Sequence, residues 1–255
     1  MTHVPGPDAA PPAPAILISN AALGFAGRAL FSGLDMVAPA GRTTCLLGPS
    51  GVGKSSLLRL IAGLLTGAGT VATDDGKPLA GRIAWMGQQD LLLPWASVLE
   101  NVMLGLQLRG GRPRPADRDQ ALALLAAVGL DDRAGCRPAD LSGGMRQRAA
   151  LARTLFEDRP IVLMDEPFSA LDAITRLDMQ DLAAGLLAGR TVIMVTHDPL
   201  EALRLGHQVL VLSGNPARLS QPLAPAGGTP RPPDQPDLLA MQAELLSRLR
   251  GGGPS

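Results

Sequence analysis

The chain has 255 residues, of which 46% are hydrophobic, and its 23 basic side chains equal its 23 acidic ones. A chain of this length folds as one large α/β domain or two small ones. Because the net charge is zero, no overall field would attract nucleic acid or acidic lipid. The apolar runs are strand-sized, and Cys45 and Cys136 show no metal-ligand or redox spacing. These features predict a cytoplasmic protein that binds its partners through local surfaces.

The first segment of the chain predicts no packed structure. Residues 1–15 are rich in proline and alanine and lack the basic and apolar regions of a signal peptide, so we expect a disordered leader. From residue 16 onward, short β-rich runs predict an antiparallel β-layer. Phe25 lies in the second of these runs. An aromatic ring here can stack on a nucleobase or belong to the core, and the sequence leaves both interpretations open.

A glycine-rich loop follows the next predicted strand and opens a helix. Its residues are Gly48, Pro49, Ser50, Gly51, Val52, Gly53, Lys54, Ser55 and Ser56. The GxxxxGK[ST] spacing turns backbone N–H groups toward a phosphate, directs Lys54 to the β- and γ-phosphates and offers the Ser55 hydroxyl to Mg²⁺. The N-terminus of the helix favours anions as well. This loop therefore predicts a site for nucleotide phosphates.

Polar side chains also follow three predicted buried strands. Gln88 follows residues 82–86, Asp165 and Glu166 follow residues 161–164, and His197 follows residues 191–195. Because parallel strands end at one edge of a sheet, these side chains are expected beside the phosphate loop.

Each of these side chains suits a step of phosphate chemistry. Gln88 and Asp165 have oxygens that can bind Mg²⁺, and Glu166 can polarise an attacking water as a general base. His197 can hydrogen-bond a γ-phosphate and respond to its loss. Taken alone, Gln88 is also compatible with an ordinary loop residue and His197 with a structural one.

Helical spacing replaces the strand patterns between residues 91 and 158, which indicates a helical subdomain. The expected helices cover residues 98–108, 117–128 and 142–157. The last begins at Ser142, a natural N-cap, and Gly143 and Gly144 leave the N–H groups of its first turn unshielded. Such a helix start is commonly structural, but here it is the second place in the chain that suits a phosphate.

The remaining segments complete the predicted domain. Residues 169–172 turn into a helix that reaches about residue 187, and a last strand covers residues 208–212. Residues 221–255 form a Pro/Gly-rich linker followed by an amphipathic helix. That helix either folds back on the domain or contacts another subunit.

Together these segments resemble the ATP-binding subunits of ABC transporters over about residues 16–220. The matching motifs are the A-loop aromatic Phe25, the Walker A loop at 48–56, the Q-loop Gln88, the signature at 141–145, the Walker B residues Asp165 and Glu166, the D-loop ending at Asp172, and the switch His197. The resemblance implies an α/β P-loop NTPase: a RecA-like core with an antiparallel β-layer and a helical ABC-specific subdomain. It also implies ATP and Mg²⁺ as ligands and ATP hydrolysis coupled to transmembrane transport.

The resemblance further implies an assembly. Two copies would pair head to tail as a homodimer, so that Ser142, Gly143 and Gly144 of one copy complete the nucleotide site built on Lys54 of the other, with Asp172 among the nucleotide-binding residues. The implied partners are transmembrane permease subunits and, indirectly, a periplasmic solute-binding protein, with no nucleic acid. The subunit would lie on the inner face of the cell membrane.

A narrower similarity concerns the cargo. Residues 86–95 and the Leu-Ser-Gly-Gly-Met signature are similar to importers of the nitrate, sulfonate and taurine group, and within it to subunits serving hydroxymethylpyrimidine, a thiamine precursor. We therefore expect an importer ATPase for such a solute, with nitrate, sulfonate or taurine as the alternative. A soluble ABC ATPase that acts on DNA or ribosomes is a second class, but such proteins usually carry two cassettes or a long coiled-coil insertion. A non-hydrolysing regulatory cassette is a third, against which Glu166 and His197 argue.

Overall fold

A computed structural model describes residues 13–25 and 27–251. Within these residues, nine β-strands form one mixed sheet. The strands are β1 (Ile16–Phe25), β2 (Arg28–Ala38), β3 (Thr43–Leu47), β4 (Ala68–Thr73), β5 (Ile83–Met86), β6 (Ile161–Asp165), β7 (Thr191–Val195), β8 (Gln208–Gly214) and β9 (Ala217–Leu219). Their order across the sheet is β4-β1-β2-β9-β8-β3-β7-β6-β5.

The described part of the chain also contains eight α-helices. They are α1 (Lys54–Ile61), α2 (Val98–Val102), α3 (Leu104–Leu108), α4 (Pro115–Ala127), α5 (Gly143–Phe156), α6 (Ala173–Leu186), α7 (Pro199–Leu205) and α8 (Pro236–Gly251). Among the residues described, no helix combines the length and the apolar character that crossing a bilayer requires.

The sheet has a parallel part and an antiparallel part. Strands β8, β3, β7, β6 and β5 are parallel neighbours, whereas β1 pairs antiparallel with both β2 and β4. Every residue of β6 and β7 is buried, as expected for strands that are covered on both faces. This arrangement confirms the predicted α/β fold with a P-loop NTPase core and an antiparallel β-layer.

The two faces of the parallel sheet carry separate apolar clusters. Because side chains alternate along a strand, Val162 and Met164 of β6 face one cluster and Ile161 and Leu163 face the other. The first cluster includes side chains of helices α2, α4, α5, α6, α7 and α8. The second includes side chains of β1, β2 and α1. The parallel strands therefore lie between β1, β2 and α1 on one face and helices α2 and α4–α8 on the opposite face.

The boundaries of several predicted elements need correction. Ala13 and Ala15 are buried and the carbonyl of Pro14 accepts a hydrogen bond from Thr191 Oγ1 at 2.7 Å, so the packed domain includes the last three residues of the expected leader. The other residues of that leader, 1–12, lie outside the described residues. The single helix expected over residues 98–108 is two helices, α2 and α3, which meet at Met103. Gly105 weakens helix formation just beyond this break.

The C-terminal helix packs on its own domain. Leu238 and Leu245 of α8 are buried in the cluster that also contains Leu203 of α7. This confirms the first of the two alternatives drawn from the sequence. Leu239 and Leu246, on the same helix, are exposed.

Candidate active site

The glycine-rich loop joins β3 to α1, and the side chain of Lys54 folds back onto the start of this loop. Lys54, the first residue of α1, is buried, and its Nζ donates to the carbonyl oxygens of Gly48 at 2.7 Å and Pro49 at 2.9 Å. Burial lowers the pKa of Lys54, while the nearby carboxylates Glu166 and Asp165 raise it. An ammonium group held inside a loop at a helix N-terminus is the arrangement that a phosphate requires.

At two glycines of the loop a side chain would be strained or would force its surroundings to move. Gly53 has a φ of +111°, a conformation that side chains disfavour, and an added Cβ would lie 2.8 Å from Leu30. At Gly48 an added Cβ would lie 2.3 Å from the carbonyl oxygen of Leu212. Since that oxygen belongs to the backbone of β8, the loop would have to move.

Replacing Gly48 by Ala is therefore expected to lower the free energy of unfolding by about 1–3 kcal/mol, the usual cost of overpacking, and to weaken ATP binding. Gly185 provides the control, because it lies in α6 with no atom within 4 Å of an added Cβ. Gly185→Ala should stabilise the protein by about 0.5–1 kcal/mol. Denaturant unfolding and a fluorescent-nucleotide titration measure both effects. If Gly48→Ala had wild-type stability and affinity, the close approach of loop and strand would have no consequence.

The hydroxyl and carboxylate that were predicted to bind Mg²⁺ are in contact. Ser55 Oγ donates to Asp165 Oδ1 at 3.0 Å, and Asp165 is buried. Burial raises the pKa of Asp165, and the hydrogen bond from Ser55 opposes this shift. The described residues contain no cluster of three or more His, Cys, Asp or Glu side chains that could hold a metal ion. Mg²⁺ suits this set, since it commonly uses one or two carboxylates together with substrate phosphates.

Three of the predicted residues meet at one oxygen atom, Glu166 Oε2. Gln88 Nε2 donates to this oxygen at 3.3 Å, and His197 Nδ1 lies 3.4 Å from it. Glu166 has a φ of +51°, and its backbone N–H donates to Val195 O at 2.9 Å. A left-handed conformation at a non-glycine residue is strained and is commonly found at functional sites. The ends of β5, β6 and β7 thus bring an amide, a carboxylate and an imidazole together.

Phe25 lies at the surface beside the phosphate loop. Its residue exposure is 54%, so the interpretation as a core residue is wrong. With Arg28, Pro49, Ser50 and Asn215 it lines an open pocket of about 480 Å³. A ring in this position is available to stack on a planar base.

The signature residues and the D-loop aspartate make local contacts. Ser142 Oγ accepts from Met145 N at 3.2 Å and caps α5, while Asp172 Oδ1 accepts from Thr175 N at 3.1 Å and caps α6. Gly143 and Gly144 form the first turn of α5. Within the part of the chain that the structure describes, no hydrogen bond joins Ser142 or Asp172 to the phosphate loop. The predicted residues therefore form two groups.

One buried residue that connects these groups was missed from the sequence. Gln147 of α5 donates from Nε2 to Glu166 O at 3.1 Å, and its Oε1 accepts from Ala170 N at 2.8 Å. It therefore joins the signature helix to the loop that carries Glu166. One signal in the sequence could have found it. Gln147 lies three positions before the apolar residue Ala150, so it is a polar residue on the apolar face of a predicted helix.

Several known proteins are similar to this chain. A family model described as ABC transporter matches residues 31–169. An uncharacterized ABC transporter ATP-binding protein of Haemophilus influenzae is 43% identical over 92% of this chain and 99% of its own length. The aliphatic sulfonates import ATP-binding protein SsuB 1 of Nocardia farcinica is 42% identical over 94% of each chain. A second such protein, SsuB 2 of Burkholderia cenocepacia, is 42% identical over 87% of this chain and 82% of its own.

A solved structure is also similar to this chain. A dimeric ATP-binding cassette in a post-hydrolysis state, bound to ADP and Pi, superposes with a TM-score of 0.73 at 29% identity, covering 83% of this chain and 99% of that one. The phosphate loop, the Ser55–Asp165 pair and the carboxylate of Glu166 are compatible with binding and hydrolysing Mg-ATP. The chain belongs to the ABC transporter family and is one of its ATP-binding, ATP-hydrolysing subunits.

Proposed function

We propose that two copies of this subunit hydrolyse ATP at the inner face of the cell membrane and thereby drive an importer for aliphatic sulfonates. The observation that carries the hydrolytic role is the convergence of Gln88 and His197 on Glu166 Oε2, next to the Ser55–Asp165 pair. The observation that carries the cargo is the name of the relatives from Nocardia farcinica and Burkholderia cenocepacia. The expected thiamine-precursor cargo gains no support from these relatives.

The phosphate side of the site binds and orients the nucleotide. Lys54 and the N–H groups of residues 48–56 would hold the β- and γ-phosphates, and Phe25 would stack on the base. Ser55, Asp165 and the side-chain oxygen of Gln88 would hold Mg²⁺, which neutralises charge on the phosphates when bound. Gln88 donates from its nitrogen to Glu166, so its oxygen is the atom that remains for the metal.

The chemical step belongs to Glu166 as general base. Its Oε2 would accept a proton from the water that attacks the γ-phosphate. Gln88 and His197 hold this oxygen in place. The His197 side chain is 64% exposed, so its imidazole can turn from Glu166 to a phosphate oxygen and report its presence. Positioning and charge stabilisation are the main contributions that phosphoryl transfer needs from a protein.

The second group of residues would act across a dimer. Ser142, Gly143 and Gly144 present the N–H groups of a 14-residue helix, and such a terminus favours an anion. We assign this helix start to the nucleotide bound by the partner copy, with Asp172 at the same interface. Closure on ATP and opening after hydrolysis would then move the permease subunits.

The permease would contact the loop that follows Gln88. Leu91 is 59% exposed and Trp95 is 70% exposed. Buried Asn101 shapes this loop, because its side chain exchanges hydrogen bonds with Leu93 and donates to Ala96 O and Ser97 O. A loop that is held by such hydrogen bonds and exposes apolar side chains is suited to binding a partner protein. A periplasmic solute-binding protein would supply the cargo to the permease.

The cargo assignment predicts a selective response of the complete transporter. In proteoliposomes that contain this subunit, its permease and its solute-binding protein, ethanesulfonate should raise the rate of ATP hydrolysis, whereas hydroxymethylpyrimidine should not. Phosphate release measures the rate, and a complex carrying Glu166→Gln supplies the background. Stimulation by hydroxymethylpyrimidine alone would show that the sulfonate assignment is wrong while leaving the ATPase assignment intact.

A further inference from the structure

The segment that precedes the C-terminal helix carries a fully buried arginine. Arg231 is 2% exposed, although arginine is almost never fully buried without a partner. Its five side-chain N–H groups all donate to backbone carbonyl oxygens. These oxygens belong to Leu203, Gly206, Pro225, Ala226 and Gly227, at distances of 2.7–3.2 Å. Every donor of the guanidinium is therefore satisfied without a carboxylate.

The carbonyl oxygens come from two different parts of the chain. Leu203 and Gly206 lie at the C-terminal end of α7, where helix carbonyls lack partners within the helix and attract cations. The other three belong to residues 225–227. The backbone N–H of Arg231 also donates to Arg204 O at 3.0 Å. Arg231 thus fastens the C-terminal segment to the end of α7.

A second buried arginine continues this contact toward α6. Arg204 of α7 is 3% exposed, and its Nε donates to Arg231 O at 2.9 Å. Its Nη1 donates to Gln180 Oε1, and its Nη2 lies 2.7 Å from Asp181 Oδ1. Gln180 and Asp181 both belong to α6. The two helices are therefore joined by the same guanidinium that touches the C-terminal segment.

The connection then reaches the switch histidine. Gln180 Nε2 donates to Glu201 Oε2 at 2.9 Å, and Glu201 is buried at the start of α7. Thr196 directly precedes His197, and its Oγ1 accepts a hydrogen bond from Asp198 N, the residue before α7, at 3.1 Å. A small cavity is lined by Glu201, Thr196 and His197 together with Glu166. Arg231, Arg204, Gln180 and Glu201 thus form one continuous hydrogen-bonded network, and its last member lines the same cavity as His197 and Glu166.

We propose that Arg231 is a positioning residue for ATP hydrolysis: through Arg204, Gln180 and Glu201 it holds α7 so that His197 faces Glu166. Helix α7 begins at Pro199, two residues after His197, so a displacement of this short helix moves the imidazole. Residues 225–231 then influence hydrolysis from a distance. A change that separates them from α7 slows hydrolysis without contacting the nucleotide. This inference rests on the proposed role of His197 as the switch.

The test compares Arg231 with Arg248, an arginine of α8, in the whole chain. Arg231→Met removes the five hydrogen bonds, and Arg231→Lys keeps the charge with fewer donors. Arg248→Met is the matched control, because Arg248 of α8 is partly exposed and, among the described residues, its side chain binds Gln221 O and Glu244 and no member of the network. Steady-state ATP hydrolysis supplies kcat and KM, and thermal unfolding shows which variants are folded.

We expect Arg231→Met to lower kcat by about 2- to 30-fold, the range of mutations that act through a coupled network. The KM for ATP should stay unchanged, since Lys54 and its loop lie on other elements. Arg231→Lys should recover part of kcat, and Arg248→Met should behave like wild type. A folded Arg231→Met variant with wild-type kcat, or one that changes KM alone, would overturn the proposal.

Two further variants keep the test decisive. If Arg231→Met does not fold, Gln180→Met takes its place, because it breaks the middle link and leaves the C-terminal segment attached; a wild-type kcat in this variant refutes the network. His197→Ala distinguishes the switch role of His197 from the role of the Arg231 network. Normal hydrolysis by His197→Ala would refute the switch role and the network together. Loss of hydrolysis in His197→Ala beside wild-type kcat in Arg231→Met would refute the network alone.

Discussion

Glu166→Gln should bind ATP normally and hydrolyse it about 10²- to 10⁴-fold more slowly, the usual effect of removing a general base. The amide has the shape of the carboxylate but cannot accept the proton of the attacking water. Lys54, Ser55 and Asp165, which contact one another or the phosphate loop, are unchanged, so affinity should be retained. Single-turnover hydrolysis and nucleotide titration measure the two quantities.

The same variant should accumulate as an ATP-bound dimer, because the step that opens the dimer is blocked. Size-exclusion chromatography with light scattering would detect this species in the presence of Mg-ATP. Glu244→Gln is the control, since Glu244 lies on α8 and, within the described part of the chain, pairs with Arg248. Normal turnover in Glu166→Gln would show that Glu166 is not the general base, whatever the oligomeric state of the variant.

Ser142→Arg is expected to lower the rate of ATP hydrolysis by about 10²- to 10³-fold or more. This is the effect of losing one electrostatic donor to the transition state. Binding of ATP to the monomer should be unaffected, because the hydrogen bond that Ser142 accepts comes from Met145 in its own helix. The arginine would fill the space in front of the first turn of α5, where we place the γ-phosphate of the partner's nucleotide.

Loss of the helix cap is the competing explanation, and a second serine controls for it. Ser97 caps α2 through the same kind of hydrogen bond, from Glu100 N to Oγ at 3.2 Å, and removal of either cap costs about 1 kcal/mol. Ser97→Arg should therefore match the loss of stability and keep the ATPase rate of the isolated subunit. If nucleotide binding by monomeric Ser142→Arg collapsed, the assignment of Ser142 to the partner's site would be wrong.

Much of the site was predictable because its chemistry is local in sequence. The phosphate loop is nine consecutive residues, and Gln88, Asp165 and His197 each follow a run of apolar residues that forms a strand. The rule that parallel strands end together then brings side chains from distant positions to one edge. The structure confirms this for Glu166, which meets Gln88 and His197.

Other features depend on contacts that no local pattern contains. The burial of Arg231 requires carbonyl oxygens from α7, more than twenty residues earlier in the chain, and nothing near Arg231 in sequence indicates them. Gln147 was missed for the same reason, because its partners lie in the loop after β6. Phe25 was left undecided, since exposure of one aromatic depends on how the β-layer packs. The three-residue strand β9 is too short to produce a pattern.

Cross-linking tests directly whether each nucleotide lies between two copies of the chain. Differently tagged chains, with Cys45 and Cys136 replaced and Glu166→Gln added to hold the dimer closed, would carry either Ser50→Cys or Gly143→Cys. Ser50 is exposed, and an added Cβ at Gly143 has only Arg146 nearby, at 3.8 Å. We predict that a short bismaleimide joins the two kinds of chain only when Mg-ATP is present, and does not join two Gly143→Cys chains. Cross-linking between two Gly143→Cys chains, or an ATP-bound dimer without the mixed product, would contradict the head-to-tail site.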